Sequence, residues 1–246
     1  MLFRSGTASD VPGFFADAPE SSLTARRSSV DYNAQALFLH MHNGNGQRAQ
    51  VIKVSDNTAE AKIEARFSDV PEDSQFYKEI SWLADRHITT GYPDGTFRPQ
   101  ANVERGAMAA FFYRMEGSPA FTAPSTPSFK DVPINHPFYK EIEWMKARGL
   151  TTGYADGTFR PQDAVNRDAM AAFFYRLAGS PQIDTAYAPH FSDVKPGDQF
   201  YTEISWLASQ KITTGWPDGT FRPVDAIHRD AMAAFIYRYT FPDRIS

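Results

Sequence analysis

A chain of 246 residues with 42% hydrophobic content is long enough to bury a core and to hold one or two domains. Its formal net charge of −4 supplies no basic footprint for nucleic acid, and the lack of cysteine rules out disulfides, thiolate nucleophiles and cysteine zinc sites. No apolar run has the length that spans a bilayer, so no membrane insertion is expected.

Residues 1–66 stand apart from the rest. "MLFRSGTASDVPGFFADAPESS" has none of the continuous apolar stretch of a signal peptide. A polar segment follows that reads as disordered. "ALFLHMHNGNGQRAQVIKVS" then predicts a short β-hairpin, with alternating runs on either side of an Asn-Gly turn. A lone hairpin is not stable in water, so the expectation is a remnant of an upstream domain and a chain that is a fragment of a longer protein. His40 and His42 share a strand face, but two imidazoles without an acidic partner do not make a metal site.

From Phe67 onward the chain repeats itself. "FSDV", "FKDV" and "FSDV" begin at Phe67, Phe129 and Phe191, 62 residues apart each time, and Trp82, Trp144 and Trp206 keep that register. The units run 67–128, 129–190 and 191–246. Each predicts helix, loop, helix. In the first helix Phe76, Ile80 and Leu83 share a face, as do Phe138, Ile142 and Met145, and Phe200, Ile204 and Leu207. Asp73 or Ser74, Asn135 and Asp198 are the expected N-caps. The loop "TTGYPDGTFRP" carries a Pro-Asp-Gly turn, and the second unit keeps Asp156-Gly157 while replacing the proline with Ala155. The second helix, "RGAMAAFFYRM" in unit one, has a broad apolar stripe. Gly117-Ser118-Pro119 and Gly179-Ser180-Pro181 read as helix stops. A unit of this size is marginal alone, so the three should share apolar faces, with their Met/Phe-rich helices meeting at one axis.

The triplicated "FSDV…FY.EI.WL", "GYPDGTFRP" and arginine-led helix resemble S-layer homology domains, the modules that attach bacterial surface proteins to the cell wall. The resemblance covers about three-quarters of the chain. It implies a mainly α fold: three helix-loop-helix repeats in a pseudo-threefold spindle around a central three-helix bundle. It also implies a non-catalytic anchor at the cell wall or cell surface. The expected partner is a secondary cell-wall polysaccharide, a peptidoglycan-linked glycan often bearing pyruvate ketals, bound in grooves between repeats. Where the family's helix commonly opens Thr-Arg-Ala-Glu, this chain keeps the arginine as Arg105, Arg167 and Arg229. It has Glu104, Asn166 and His228 before it, and Ala107, Ala169 and Ala231 at the glutamate position.

An arginine at a helix start opposes the helix dipole, which favours anions there. A ligand resolves the conflict: free backbone N–H groups and a guanidinium fork together suit a carboxylate or phosphate. The alternative is an ion pair with Asp69, Asp131 or Asp193, with Asp94, Asp156 or Asp218, or with the adjacent Asp168 or Asp230. Tyr92, Tyr154 and Trp216 share one loop position where an aromatic can pack on a sugar or cover the bundle edge. Gly91, Gly153 and Gly215 admit a close backbone approach to ligand, or supply a positive φ. Arg98, Arg160 and Arg222 read as braces of the loop, and the three repeat tryptophans as core. The Asp-Gly turns lack the further ligands of a calcium loop, so no metal or other cofactor is expected. No nucleophile elbow or phosphate loop is present, so catalysis is not expected in this chain. Two alternatives stay open: a surface lattice held by contacts between repeats, and the anchoring remnant of a larger cell-surface enzyme.

Overall fold

The computed structural model describes residues 23–31, 36–43, 48–55, 58–64, 66–188 and 190–241. It divides into two compact units, Met1–Arg86 with Gly91–Phe97, and His87–Thr90 with Arg98–Ser246. The first repeat therefore contributes to both.

In the first unit, β1 (Leu23–Asp31), β2 (Ala36–Asn43), β3 (Arg48–Ser55) and β4 (Thr58–Glu64) form one antiparallel sheet in chain order. The expected hairpin is its middle pair, with His40 opposite Gln50 and His42 opposite Arg48. The Asn-Gly turn itself lies outside the described residues. The stretch before that hairpin contains β1, in which Arg26 lies opposite His40 and Thr24 opposite His42, partners that local composition does not reveal. The unit also holds α1 (Tyr77–Asp85) and the first Pro-Asp-Gly loop.

The second unit carries α2 (Arg105–Met115), α3 (Tyr139–Ala147), α4 (Arg167–Leu177), α5 (Tyr201–Ser209) and α6 (Arg229–Thr240). The arginine-led helices α2, α4 and α6 form the expected central bundle. Phe112, Phe174 and Ile236 are fully buried. Phe174 packs edge-on to Phe112 at 4.9 Å and to Phe235 at 6.4 Å. Outside this bundle Tyr113 meets Trp144 and Tyr175 meets Trp206, each an edge contact from one repeat to the next. Trp144 and Trp206 are core, as expected, whereas Trp82 is half-buried.

Just before the three central helices the main chain closes on itself. The Val165 N–H donates to Val103 O, the Ile227 N–H to Val165 O and the Val103 N–H to Ile227 O, all at 2.9 Å. Each repeat gives one bond and takes one.

Helix ends follow the sequence at one terminus and depart from it at the other. Gly117 and Gly179 take positive φ, and the N–H groups of Gly117 and Ser118 bond Arg114 O and Tyr113 O, a Schellman stop repeated after α4. The first helices begin later than the expected caps. Phe76 and Phe200 adopt left-handed φ of 62° and 60° immediately before α1 and α5, which breaks the helix ahead of them. The Asp198 carboxylate instead takes the Lys195 N–H at 2.8 Å, closing a turn upstream. Among the described residues no helix is long and apolar enough to cross a membrane.

Candidate functional site

Two equivalent sites lie in the second unit, each where a central helix starts under the loop of the following repeat. The Arg105 N–H donates to Asp163 O at 2.9 Å and the Gly106 N–H to Pro161 O at 2.8 Å. The Arg105 side chain donates through Nε to Phe159 O at 2.7 Å. One loop thus offers three carbonyls to one helix start. Arg167 repeats the pattern, with Asp225 O, Pro223 O for the Asp168 N–H, and Phe221 O for Nε. These acceptors explain why a cation is tolerated at the positive end of a helix dipole. The N–H groups of the first two residues of each helix are therefore taken by the protein, and the guanidinium beside them carries the donors that face outward.

The ion-pair alternative is not what the structure contains for Arg105 and Arg167. Asp131 accepts the Phe159 and Arg160 N–H groups at 2.8 and 2.7 Å, and Asp193 does the same for Phe221 and Arg222. Those bonds hold Arg160 and Arg222 at φ of 58° and 59°, a conformation non-glycine residues avoid. Asp168 turns back to the Ala169 N–H, and Asp230 accepts from Gln100 Nε2 at 2.6 Å. Among the described residues no buried side-chain nitrogen lacks a partner. Nη1 and Nη2 of Arg105 and Arg167 have no protein partner, so these atoms reach solvent, although the residues are only 7% and 6% exposed. Burial pushes both guanidinium pKa values down, that of Arg167 to about 10, leaving both charged at neutral pH.

The aromatic position completes the site. Tyr154, 38% exposed, has the Arg160 guanidinium 4.0 Å and the Arg105 guanidinium 5.0 Å from its ring centroid. Trp216, 43% exposed, stands likewise 4.2 Å from Arg222 and 5.9 Å from Arg167. Each site is therefore a half-open aromatic ring beside two cations. Arg229 is buried like its counterparts and lies 5.5 Å from the Phe111 ring centroid. Tyr92 is half-buried in the first unit, where its N–H bonds Thr96 O at 2.8 Å.

Arg160 and Arg222 act as braces. Asp156 accepts from the Thr158 hydroxyl at 2.6 Å and pairs with Arg160 at 3.0 Å, while Asp218 pairs with Arg222 at 2.9 Å. The threonine hydroxyl first and the arginine second pull both carboxyl pKa values from 3.8 to about 2. A depressed carboxyl pKa stabilises the fold above the unfolded value and loses that contribution as pH falls towards the folded one. Thermal melts should therefore show the loops weakening between about pH 4 and pH 2, with a shallower decline in the Asp156→Asn/Asp218→Asn double variant.

The glycines Gly91, Gly153 and Gly215 have a reason internal to the protein. At Gly153, φ is +71° and a Cβ would sit 2.7 Å from Thr158 O and collide with the Phe129 ring. Gly91 and Gly215 meet Phe67 and Phe191 in the same way. Each lets the aromatic that opens its repeat approach the main chain closely. The carbonyl acceptors of the arginines were beyond sequence reasoning, since main-chain groups carry no residue signature. Among the described residues no group of three or more His, Asp or Glu is placed to hold a metal ion.

Residues 66–109, 128–171 and 190–233 each match the family model of the S-layer homology domain. Cell surface glycoprotein 1 of Acetivibrio thermocellus is 33% identical over 164 residues, 62% of this chain and 7% of that protein. The cellulosome-anchoring protein of the same organism is 31% identical over 153 residues, 60% of this chain and 34% of that protein. An endoglucanase of Bacillus sp. is 33% identical over 126 residues, 50% of this chain and 13% of that enzyme. The chain thus spans about a third or less of the length of these relatives.

Proposed function

The chain belongs to the S-layer homology domain family, and from that premise we propose that it is a non-catalytic anchor binding an anionic wall polysaccharide between its repeats. Its place is the cell wall or cell surface. The observation that carries the ligand class is the pair of charged guanidinium groups, Arg105 and Arg167, whose terminal nitrogens meet solvent beside half-exposed rings. A carboxylate accepts a guanidinium fork by two hydrogen bonds, and the flat face of a sugar packs on an aromatic. A polysaccharide with pyruvyl or similar carboxylates presents both features on one residue.

The anchoring reading fits relatives as unlike as a surface glycoprotein and an endoglucanase, which share with this chain only a small part of their length. What the module carries in its own parent protein is then separate from what it binds.

The test is co-sedimentation with purified wall sacculi, before and after removal of non-peptidoglycan polymer. The unaltered chain should sediment only with polymer-bearing walls, in a salt-sensitive manner, because charged contacts at an accessible site are screened. The Arg105→Gln/Arg167→Gln/Arg229→Gln variant should stay in the supernatant while keeping its helical circular dichroism. Equal sedimentation of both would make the arginines structural. Self-association in the absence of polymer, with no binding to walls, would move the surface lattice ahead.

A further inference from the structure

The sites of Arg105 and Arg167 lie wholly in the second unit, share one framework and differ at their rims. The 62-residue register relates them, so their residues compare one to one. Three positions change, all in one direction. Glu104 before Arg105 becomes Asn166 before Arg167; both are exposed, and neither side chain caps its helix. Tyr154, 38% exposed, becomes Trp216, 43% exposed. The exposed Gln162 becomes Val224, which is 73% exposed. Val224 stands between Pro223 and Asp225, whose carbonyls accept the Asp168 and Arg167 N–H groups, so it flanks the start of α4. The other acids do not undo the difference. Asp163 and Asp225 are equivalent and both exposed, and Asp156 and Asp218 are each paired with an arginine. Asp168 stands where the first site has Gly106, but it is half-buried and its carboxylate accepts the Ala169 N–H.

We propose that Asn166, Trp216 and Val224 set the specificity of the second site and make it the tighter of these two for an anionic sugar, while Glu104 holds the first to an accessory role. This rests on the wall-polymer reading above. The anion goes to Nη1 and Nη2 of Arg167, whose Nε is committed to Phe221 O. The sugar face packs on Trp216, and Val224 covers an apolar edge of the same residue. Isolated apolar side chains on a protein surface are ordinary. Here the indole and the valine belong to the one loop that holds Arg167, through Phe221 O and Asp225 O. At the first site the same anion meets the Glu104 carboxylate. At an exposed rim one like charge lowers anion affinity by roughly three- to tenfold. Covering an exposed valine raises affinity by roughly threefold or more, a gain that glutamine does not supply.

The experiment titrates the full chain against polymer-bearing sacculi at low and at high salt. Asn166→Glu, Val224→Gln and the reciprocal Glu104→Asn/Tyr154→Trp/Gln162→Val each install residues that the equivalent repeat already holds, so the fold is kept, and circular dichroism checks this. Asn166→Glu should weaken binding roughly three- to tenfold at low salt and much less at high salt, because the added charge is screened. Val224→Gln should weaken it roughly threefold at both, because an apolar contact is not screened. The reciprocal variant should strengthen binding, and Arg167→Gln should cost more than Arg105→Gln. Equal or reversed losses from those two arginine variants, or unchanged binding in both Asn166→Glu and Val224→Gln, would overturn the ranking. The wall-polymer reading would survive that result if the triple arginine variant fails to bind, and full binding by the triple variant would overturn both.

Discussion

Phe174→Ala is expected to destabilise the central bundle by about 3–5 kcal/mol, the usual loss for a fully enclosed phenylalanine. Phe174 is wholly buried and touches three rings: Phe112 at 4.9 Å, Tyr239 at 5.3 Å and Phe235 at 6.4 Å. These partners come from both of the other central helices, so the cavity cannot be closed by shifting one helix without opening a gap against another. A loss of that size is a large share of the stability of an ordinary domain, about 5–15 kcal/mol. Chemical denaturation followed by circular dichroism would measure it. A loss below about 1 kcal/mol would mean that the bundle repacks around the missing ring.

Gly153→Ala is the second large effect, and it couples stability to the site. The new methyl group would meet the Phe129 ring and the Thr158 carbonyl, in a backbone with φ of +71°. The conformation alone costs about 1–2 kcal/mol for a residue with a Cβ, and the overlap adds about 1–3 kcal/mol. Tyr154 is the next residue, and its N–H to Thr158 O bond of 2.8 Å holds the loop. Displacing Gly153 therefore moves the ring beside Arg105. Sedimentation with walls should fall together with the melting temperature. If Gly153→Ala melts normally, the Phe129 ring has moved aside and the glycine is not required.

The parts of this molecule legible in the sequence are those that recur. The 62-residue register gave the six helices, and the Gly-Ser-Pro triplets gave the stops that the Schellman bonds after Tyr113 and Tyr175 confirm. The conserved chemical type at Tyr92, Tyr154 and Trp216 marked a position, and at Tyr154 and Trp216 the structure exposes the ring. What was not legible depends on main-chain geometry or on distant partners. Phe76 and Phe200 look like first-turn residues of an apolar stripe, yet their left-handed φ delays the helix. β1 pairs across a gap that composition does not predict. The partners of Arg105 and Arg167 are carbonyls 54 residues away, and a carbonyl has no letter in a sequence.

The circuit of hydrogen bonds through Val103, Val165 and Ile227 has a counting consequence. In stacked repeat proteins the array has two ends, and lengthening it is a matter of adding units before a cap. Here every unit is both a giver and a receiver, and the third unit gives back to the first. Three is the number at which all valences are filled. A truncated pair would keep one orphan donor and one orphan acceptor facing each other across an empty third, and a fourth unit would find nothing to join. Copy number in this chain is therefore a property of the main chain itself, independent of whatever the grooves hold.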